Sequence, residues 1–202
     1  DSITDYFFTT SEIANTNLRN TGVKDEQIFF VGNVMIDTLL ANIERLRKPE
    51  VFDKLNLEAG KYLVLTMHRP ANVDEANKLK EMMKEIVSNT QGMPIIFPIH
   101  PRTAKIFKDL GIEADNLHIV APMGYLEFNY MVKNSKAVIT DSGGITEETS
   151  IMRVPCITLR DNTERPETIT HGTNELIGTN PKAIKPALKK LFNGDWKKGD
   201  NI

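Results

Sequence analysis

The sequence predicts an α/β fold, a doubly wound parallel sheet with helices on both faces. Three observations carry this. Short β-rich runs alternate with stretches of helical periodicity along the 202 residues, the pattern of successive βα units. The run Tyr62-Leu63-Val64-Leu65-Thr66 is nearly all apolar, as a strand covered on both faces reads. Polar and glycine-rich clusters then follow the runs at their carboxyl ends, the edge where open parallel sheets bind ligands.

Taken in order, residues 5–10 read as a strand. Ser11 caps a helix through about Asn20, with Glu12 and Asn15 on its polar side. A strand over 27–31 ends at Gly32-Asn33, and a helix covers about 35–46. The pattern restarts after Lys48-Pro49-Glu50: a strand at 62–66, a helix over 74–89, a strand at 94–97, a helix near 103–110 and a strand at 117–120. A helix near 125–134, a strand at 137–140, a helix after Gly143, a strand at 156–159, and a helix over 181–192 before a polar tail complete it. There is no internal repeat and no low-complexity segment.

Composition narrows the function classes. A net charge of -2 argues against a nucleic-acid binder working through a broad basic face. No apolar run approaches the roughly 20 residues needed to span a bilayer, and no signal peptide is visible. The one cysteine excludes an internal disulfide and fits a reducing, cytoplasmic compartment. Cys156, in Val154-Pro155-Cys156-Ile157, reads as core. No His/Cys/Asp/Glu spacing suggests a metal, and no cofactor is implied.

Four strand-end loops converge on one sheet edge: Met67-His68-Arg69-Pro70, Ile99-His100-Pro101-Arg102, Asp141-Ser142-Gly143-Gly144 and 160–167. In the third, two glycines at a strand-to-helix turn let backbone N–H groups face an anion, and the helix N-terminus adds partial positive charge. A plain tight turn would also account for it. Glu147 and Glu148 suit a helix start without any ligand, and one of them is expected to face the cleft; Glu148 sits where a carboxylate accepts ribose hydroxyls. Arg165 can fork onto a phosphate or pair with Glu164 or Glu167. His68 is placed to donate to a leaving diphosphate, or is structural. His100, between Pro98 and Pro101, is either a loop residue or a ligand contact; His118 reads as packed within a strand. Phe128 either stacks on a base or joins the core.

At these residues the chain closely resembles the non-hydrolysing UDP-N-acetylglucosamine 2-epimerases. The motifs in family order are Gly32-Asn33 with Ile36-Asp37, Thr66-Met67-His68-Arg69, Pro98-Ile99-His100-Pro101, residues 141–148, Thr163-Glu164-Arg165-Pro166-Glu167, and Gly172-Thr173-Asn174. The resemblance implies a GT-B enzyme of two Rossmann-like domains, with this chain as the C-terminal half. Residues 1–35 would be the last α/β stretch of the N-terminal domain plus linker, and 36–202 the UDP-binding domain. It implies that Ser142, Gly143, Gly144 and Arg165 hold the diphosphate. Glu148 would bind the ribose, and Phe128 with the backbone near Met123 the uracil. His68 would act near the glycosidic phosphate, and Arg69 and His100 at a second, activating UDP-GlcNAc. The implied reaction interconverts UDP-GlcNAc and UDP-ManNAc through elimination and re-addition of UDP, with a 2-acetamidoglucal intermediate and acid/base carboxylates on the N-terminal domain. On that reading this chain binds UDP and is inactive alone, and the whole enzyme is a homodimer.

The chain departs from the family at Pro70-Ala71-Asn72, where a glutamate usually precedes the asparagine, and at Met123, where many members carry glutamine. A GT-B glycosyltransferase using a UDP-sugar, a hydrolysing epimerase and a non-catalytic nucleotide-binding module are the alternatives.

Overall fold

The computed structural model describes residues 3–99, 104, 107 and 109–200. The chain forms two compact units, Asp1–Ile43 and Glu44–Ile202.

The first unit is a single βαβ crossover followed by a helix. Strands β1 (Phe7–Thr9) and β2 (Ile28–Phe30) pair in parallel, Phe7 opposite Ile28. Helix α1 (Glu12–Asn20) joins them, with the Ser11 hydroxyl accepting from the Ala14 N–H at 3.3 Å, as the capping signal predicts. Asn15 is not on a polar face: it is buried, bonded to the Thr9 hydroxyl and to Glu12, because its turn of α1 lies over β1. After β2, Gly32 takes φ +80°, a backbone state that glycine adopts without a β-carbon penalty. Helix α2 (Val34–Asn42) starts from the Asn33 cap.

The second unit contains a six-stranded, all-parallel sheet in the order β5-β4-β3-β6-β7-β8. Its strands are β3 (Leu63–Thr66), β4 (Ile95–Pro98), β5 (Leu117–Val120), β6 (Ala137–Thr140), β7 (Cys156–Thr158) and β8 (Asn174–Leu176). Its helices among the described residues include α3 (Glu50–Lys54), α4 (Pro70–Val73), α5 (Ala76–Ser88), α6 (Tyr125–Lys133), α7 (Gly143–Ile151), α8 (Glu167–Thr170) and α9 (Ile184–Phe192).

Alternate strand residues feed two cores. Leu63, Leu65, Ile95, Phe97, Ile139 and Ile157 pack with Leu79, Met82, Met83 and Ile86 of α5 and Leu188 and Leu191 of α9. On the other face, Val64, Ile96, Val138 and Cys156 pack with Phe52, Tyr62 and Met131. This is the doubly wound sheet the alternation predicts. Each fully buried Leu or Ile contributes about 1.5–3 kcal/mol, enough for these two layers to hold the strand ends still.

Four features depart from the sequence-based expectation. The helix expected over 74–89 forms as α5, but an extra short helix, α4, precedes it, because Pro70 suits a first helical position. The short helices α3 and α8 were not anticipated. Nor was β8, a three-residue strand without β-branched side chains that forms by pairing with β7. The polar tail is partly packed: Trp196 is buried and its Nε1–H donates to the Thr173 carbonyl at 2.8 Å. The helix expected near 103–110 lies largely outside the described residues.

Candidate functional site

The sheet order places the reversal of winding between β3 and β6: strands run outward to β5 on one side and to β8 on the other. The carboxyl ends flanking such a point diverge into a crevice. Three of the four polar loops picked out in the sequence follow β3, β6 and β7, which are adjacent. The fourth follows β4, next to β3, but His100 and its neighbours at 101–103 lie outside the described residues.

Asp141, directly after β6, ties the loops of β3 and β6 together. Its carboxylate is fully buried. Oδ2 accepts from the backbone N–H of His68 at 3.0 Å and of Arg69 at 2.8 Å, and from the Asn72 amide at 3.2 Å. His68 Nδ1 stands 2.9 Å from Oδ1, within ion-pair distance. A carboxylate so surrounded is held by charge-assisted bonds of roughly 1.5–3 kcal/mol each. The position of Asp141 at the head of the glycine motif does not by itself reveal this role. With Nδ1 engaged, the His68 ring, whose side chain is 64% exposed, turns Nε2 away from Asp141. Asn72 also donates to the Leu159 carbonyl at 3.0 Å, joining the β7 end to the same network. The Pro70-Ala71-Asn72 departure therefore keeps the residue that makes these bonds.

The glycine turn sits beside this network. Thr66 and Thr140 hydroxyls share a hydrogen bond at 2.6 Å, and Thr140 accepts from the Ser142 N–H at 2.9 Å. Ser142 is the N-cap of α7 but its side chain makes no capping bond. The first-turn N–H groups thus have no side-chain acceptor there, and a helix start in this state attracts anions. A β-carbon on Gly144 would meet nothing within 4 Å, so its backbone is open to approach.

The two glutamates of α7 are both buried, and they divide their work. Glu147 Oε1 pairs with Arg165 Nε at 2.8 Å, across α7 from the loop after β7. Arg165 is therefore anchored by Glu147 rather than by Glu164 or Glu167, the partners expected from sequence proximity, and its side chain stays 35% exposed. Burial pushes the Glu148 carboxyl above its ordinary range, while hydrogen bonds from Tyr125 and Asn129 oppose this and the charge of Glu147 adds to it. The Tyr125 phenol is raised to about 12 by burial and by Glu148. That contact brings the start of α6 against the second turn of α7. Met123 precedes this start and Phe128 lies on its next turn; both are half-buried and pack on the second core.

Gly172-Thr173-Asn174 is packing rather than site. A β-carbon on Gly172 would lie 2.2 Å from Ser150 Oγ and 2.5 Å from the Thr168 carbonyl. Asn174 accepts from Thr158 at 2.5 Å and donates to Thr168 at 3.2 Å. Cys156 is likewise core, its thiol raised to about 11 by burial. Among the described residues no helix is long and apolar enough to cross a membrane, and no three His, Cys, Asp or Glu side chains cluster to hold a metal.

The residue that sequence reasoning passed over is Arg160, at the end of β7. It is buried, and a β-carbon on Gly143 would stand 3.4 Å from its Nη1. Only its placement against the glycine turn distinguishes it from the other polar residues of its loop.

Comparison with known proteins agrees with this geometry. A family model described as UDP-N-acetylglucosamine 2-epimerase matches residues 1–201. The chain is 40% identical to the UDP-N-acetylglucosamine 2-epimerase of Methanocaldococcus jannaschii, over 98% of this chain and 57% of that protein. It is 35% identical to the UDP-2,3-diacetamido-2,3-dideoxy-D-glucuronate 2-epimerase of Pseudomonas aeruginosa, over 88% of this chain and 50% of that protein. The crystal structure of the M. jannaschii UDP-GlcNAc 2-epimerase in complex with UDP-GlcNAc and UDP matches with a TM-score of 0.84 at 39% identity, covering 100% of this chain and 59% of that one. The chain spans little more than half the length of these relatives. A half-length parallel sheet with a glycine turn at its switch point matches the GT-B architecture expected from the motifs, and the chain belongs to the UDP-N-acetylglucosamine 2-epimerase family.

Proposed function

We propose that this chain is the UDP-binding half of a UDP-GlcNAc 2-epimerase, an isomerase acting in nucleotide-sugar metabolism. The observation that carries the reading is the Asp141 network, which sets the His68 ring beside an uncapped glycine turn at the switch point of the sheet. The first-turn N–H groups of α7, with Ser142, Gly143, Gly144 and Arg165, hold the diphosphate. Glu148, set in place by Tyr125 and Asn129, takes the ribose hydroxyls, and Phe128 with the backbone at Met123 takes the uracil. His68, its Nδ1 bound to Asp141, directs Nε2 to the glycosidic phosphate oxygen and stabilises UDP as it departs. Such pre-set donors act on charge that develops in the transition state.

Epimerisation also requires a proton to leave and return at carbon 2 of the sugar. Asp141, Glu147 and Glu148 are each committed to partners within the fold. The acid/base groups are accordingly assigned to the other half of the enzyme, and Arg69 and His100 to a second, activating nucleotide sugar. The parent enzyme is read as a cytoplasmic homodimer. The test has two parts. Calorimetric titration of the chain with UDP should give saturable binding. Proton NMR of the chain with UDP-GlcNAc should show no UDP-ManNAc. Failure to bind UDP refutes the nucleotide site; appearance of UDP-ManNAc refutes the division of labour.

A further inference from the structure

Arg160 is an unusual cation. Its side chain is only 9% exposed, yet its one ion pair among the described residues is to Glu164 Oε1 at 3.3 Å, and that carboxylate is 74% exposed. Its other hydrogen bond, to Asn162 Oδ1, is 3.4 Å long. Both contacts use Nη2, while Nη1 faces Gly143 and has no hydrogen-bond partner among the described residues. A guanidinium taken out of water needs a close counter-charge, and a long bond to a solvated carboxylate supplies little of one.

The neighbouring charge makes this worse. Gly143 is the first residue of α7, so Nη1 lies at the positive end of a nine-residue helix. Two positive groups share one place, and among the described residues only the solvated Glu164 carboxylate, at the far side of the guanidinium, opposes them. Asp141 is used up by His68, Arg69 and Asn72, and Glu147 by Arg165. Arg165 thus arrives with its charge already matched, whereas Arg160 does not.

We infer that Arg160 is a ligand-binding residue for the diphosphate of the bound nucleotide, with Nη1 and the first-turn N–H groups of α7 holding the same phosphate oxygens. This rests on the nucleotide reading above. Glu164 acts as a stand-in counter-ion that the diphosphate displaces. The guanidinium fork suits this exchange because it is planar and keeps its charge when buried.

The test compares UDP, by calorimetry, with uridine, by NMR chemical-shift titration, on the intact chain. Arg160→Gln should weaken UDP binding by about 10- to 100-fold and leave uridine within about twofold, with the Arg160→Lys loss falling between. Glu164→Gln, which changes only an exposed side chain, should tighten UDP by about two- to fivefold, since a competing surface-type ion pair is worth at most about 1 kcal/mol. Equal losses for uridine and UDP in Arg160→Gln would show a merely structural arginine and overturn the assignment. So would UDP binding unchanged in that variant, or unchanged or weakened in Glu164→Gln. If Arg160→Gln does not fold, Glu164→Gln and Arg160→Lys decide the matter. A wild-type chain that binds neither UDP nor uridine would refute the nucleotide site itself, an outcome distinct from these.

Discussion

Replacing Asp141 by Asn tests how the site is held together. The substitution preserves volume and changes one oxygen into an NH2 group. If the amide oxygen takes the place of Oδ2, the bonds from the N–H groups of His68 and Arg69 and from Asn72 survive in neutral form. A charge-assisted bond is worth about 1.5–3 kcal/mol and a neutral one about 0.5–1.5, so three such bonds lose roughly 1 kcal/mol apiece. The new NH2 group then occupies the place of Oδ1, 2.9 Å from His68 Nδ1 and 3.2 Å from the His68 N–H. It opposes one donor and forces Nδ1 to become an acceptor, moving the ring proton to Nε2. We expect a loss of about 2–4 kcal/mol. Urea unfolding followed by far-UV circular dichroism measures it, and the nitrogen shifts of His68 report the tautomer. A loss below about 0.5 kcal/mol with an unchanged tautomer would refute the view that Asp141 organises the loop and aims the ring.

Three further outcomes follow from the same structure. Gly172→Ala should destabilise the chain by at least about 2 kcal/mol in urea titration, and adding Ser150→Ala should recover only part, because the Thr168 carbonyl still lies 2.5 Å from the new methyl; full recovery would contradict the packing. Glu148 is raised above its ordinary 4.5, so the folded state binds its proton more tightly than the unfolded state. The associated stability is complete below about pH 4.5 and declines as pH rises through the raised value. Melting temperatures of Glu148→Gln and wild type between pH 4 and 7 should therefore shift in favour of the variant as pH increases, and a constant gap would refute this. Cys156, buried and raised to about 11, should resist a disulfide reagent at pH 8 until guanidinium unfolds the chain, whereupon one thiol per chain reacts; prompt reaction of the native chain would place the thiol at the surface.

Much of the fold was legible in the chain because its signals are local. Ser11 caps its helix whichever way the tertiary structure turns, and the two glycines before Ile145 mark a strand-to-helix turn by themselves. What escaped depended on neighbours distant in sequence. Asn15 reads as a polar-face residue until Thr9 is placed under it. Residues 174–176 carry no strand signal and become β8 only when β7 offers an edge. Glu147 lies 18 positions from Arg165, so proximity pointed to Glu164 and Glu167 instead. Arg160 looks like any loop cation until burial against Gly143 sets it apart.

The sequence by itself determined the βα alternation, the doubly wound sheet, the family, and the set of loops at the strand ends, since periodicity and turn chemistry act over a few residues. Only the tertiary structure decided which strands became neighbours, and hence that the reversal of winding falls between β3 and β6. It alone also decided which charges cancel. Asp141 with His68, Glu147 with Arg165, and the poorly matched Arg160 depend on distances of a few ångströms between separate elements. Electrostatic strength there is set by burial and geometry, which no stretch of sequence contains.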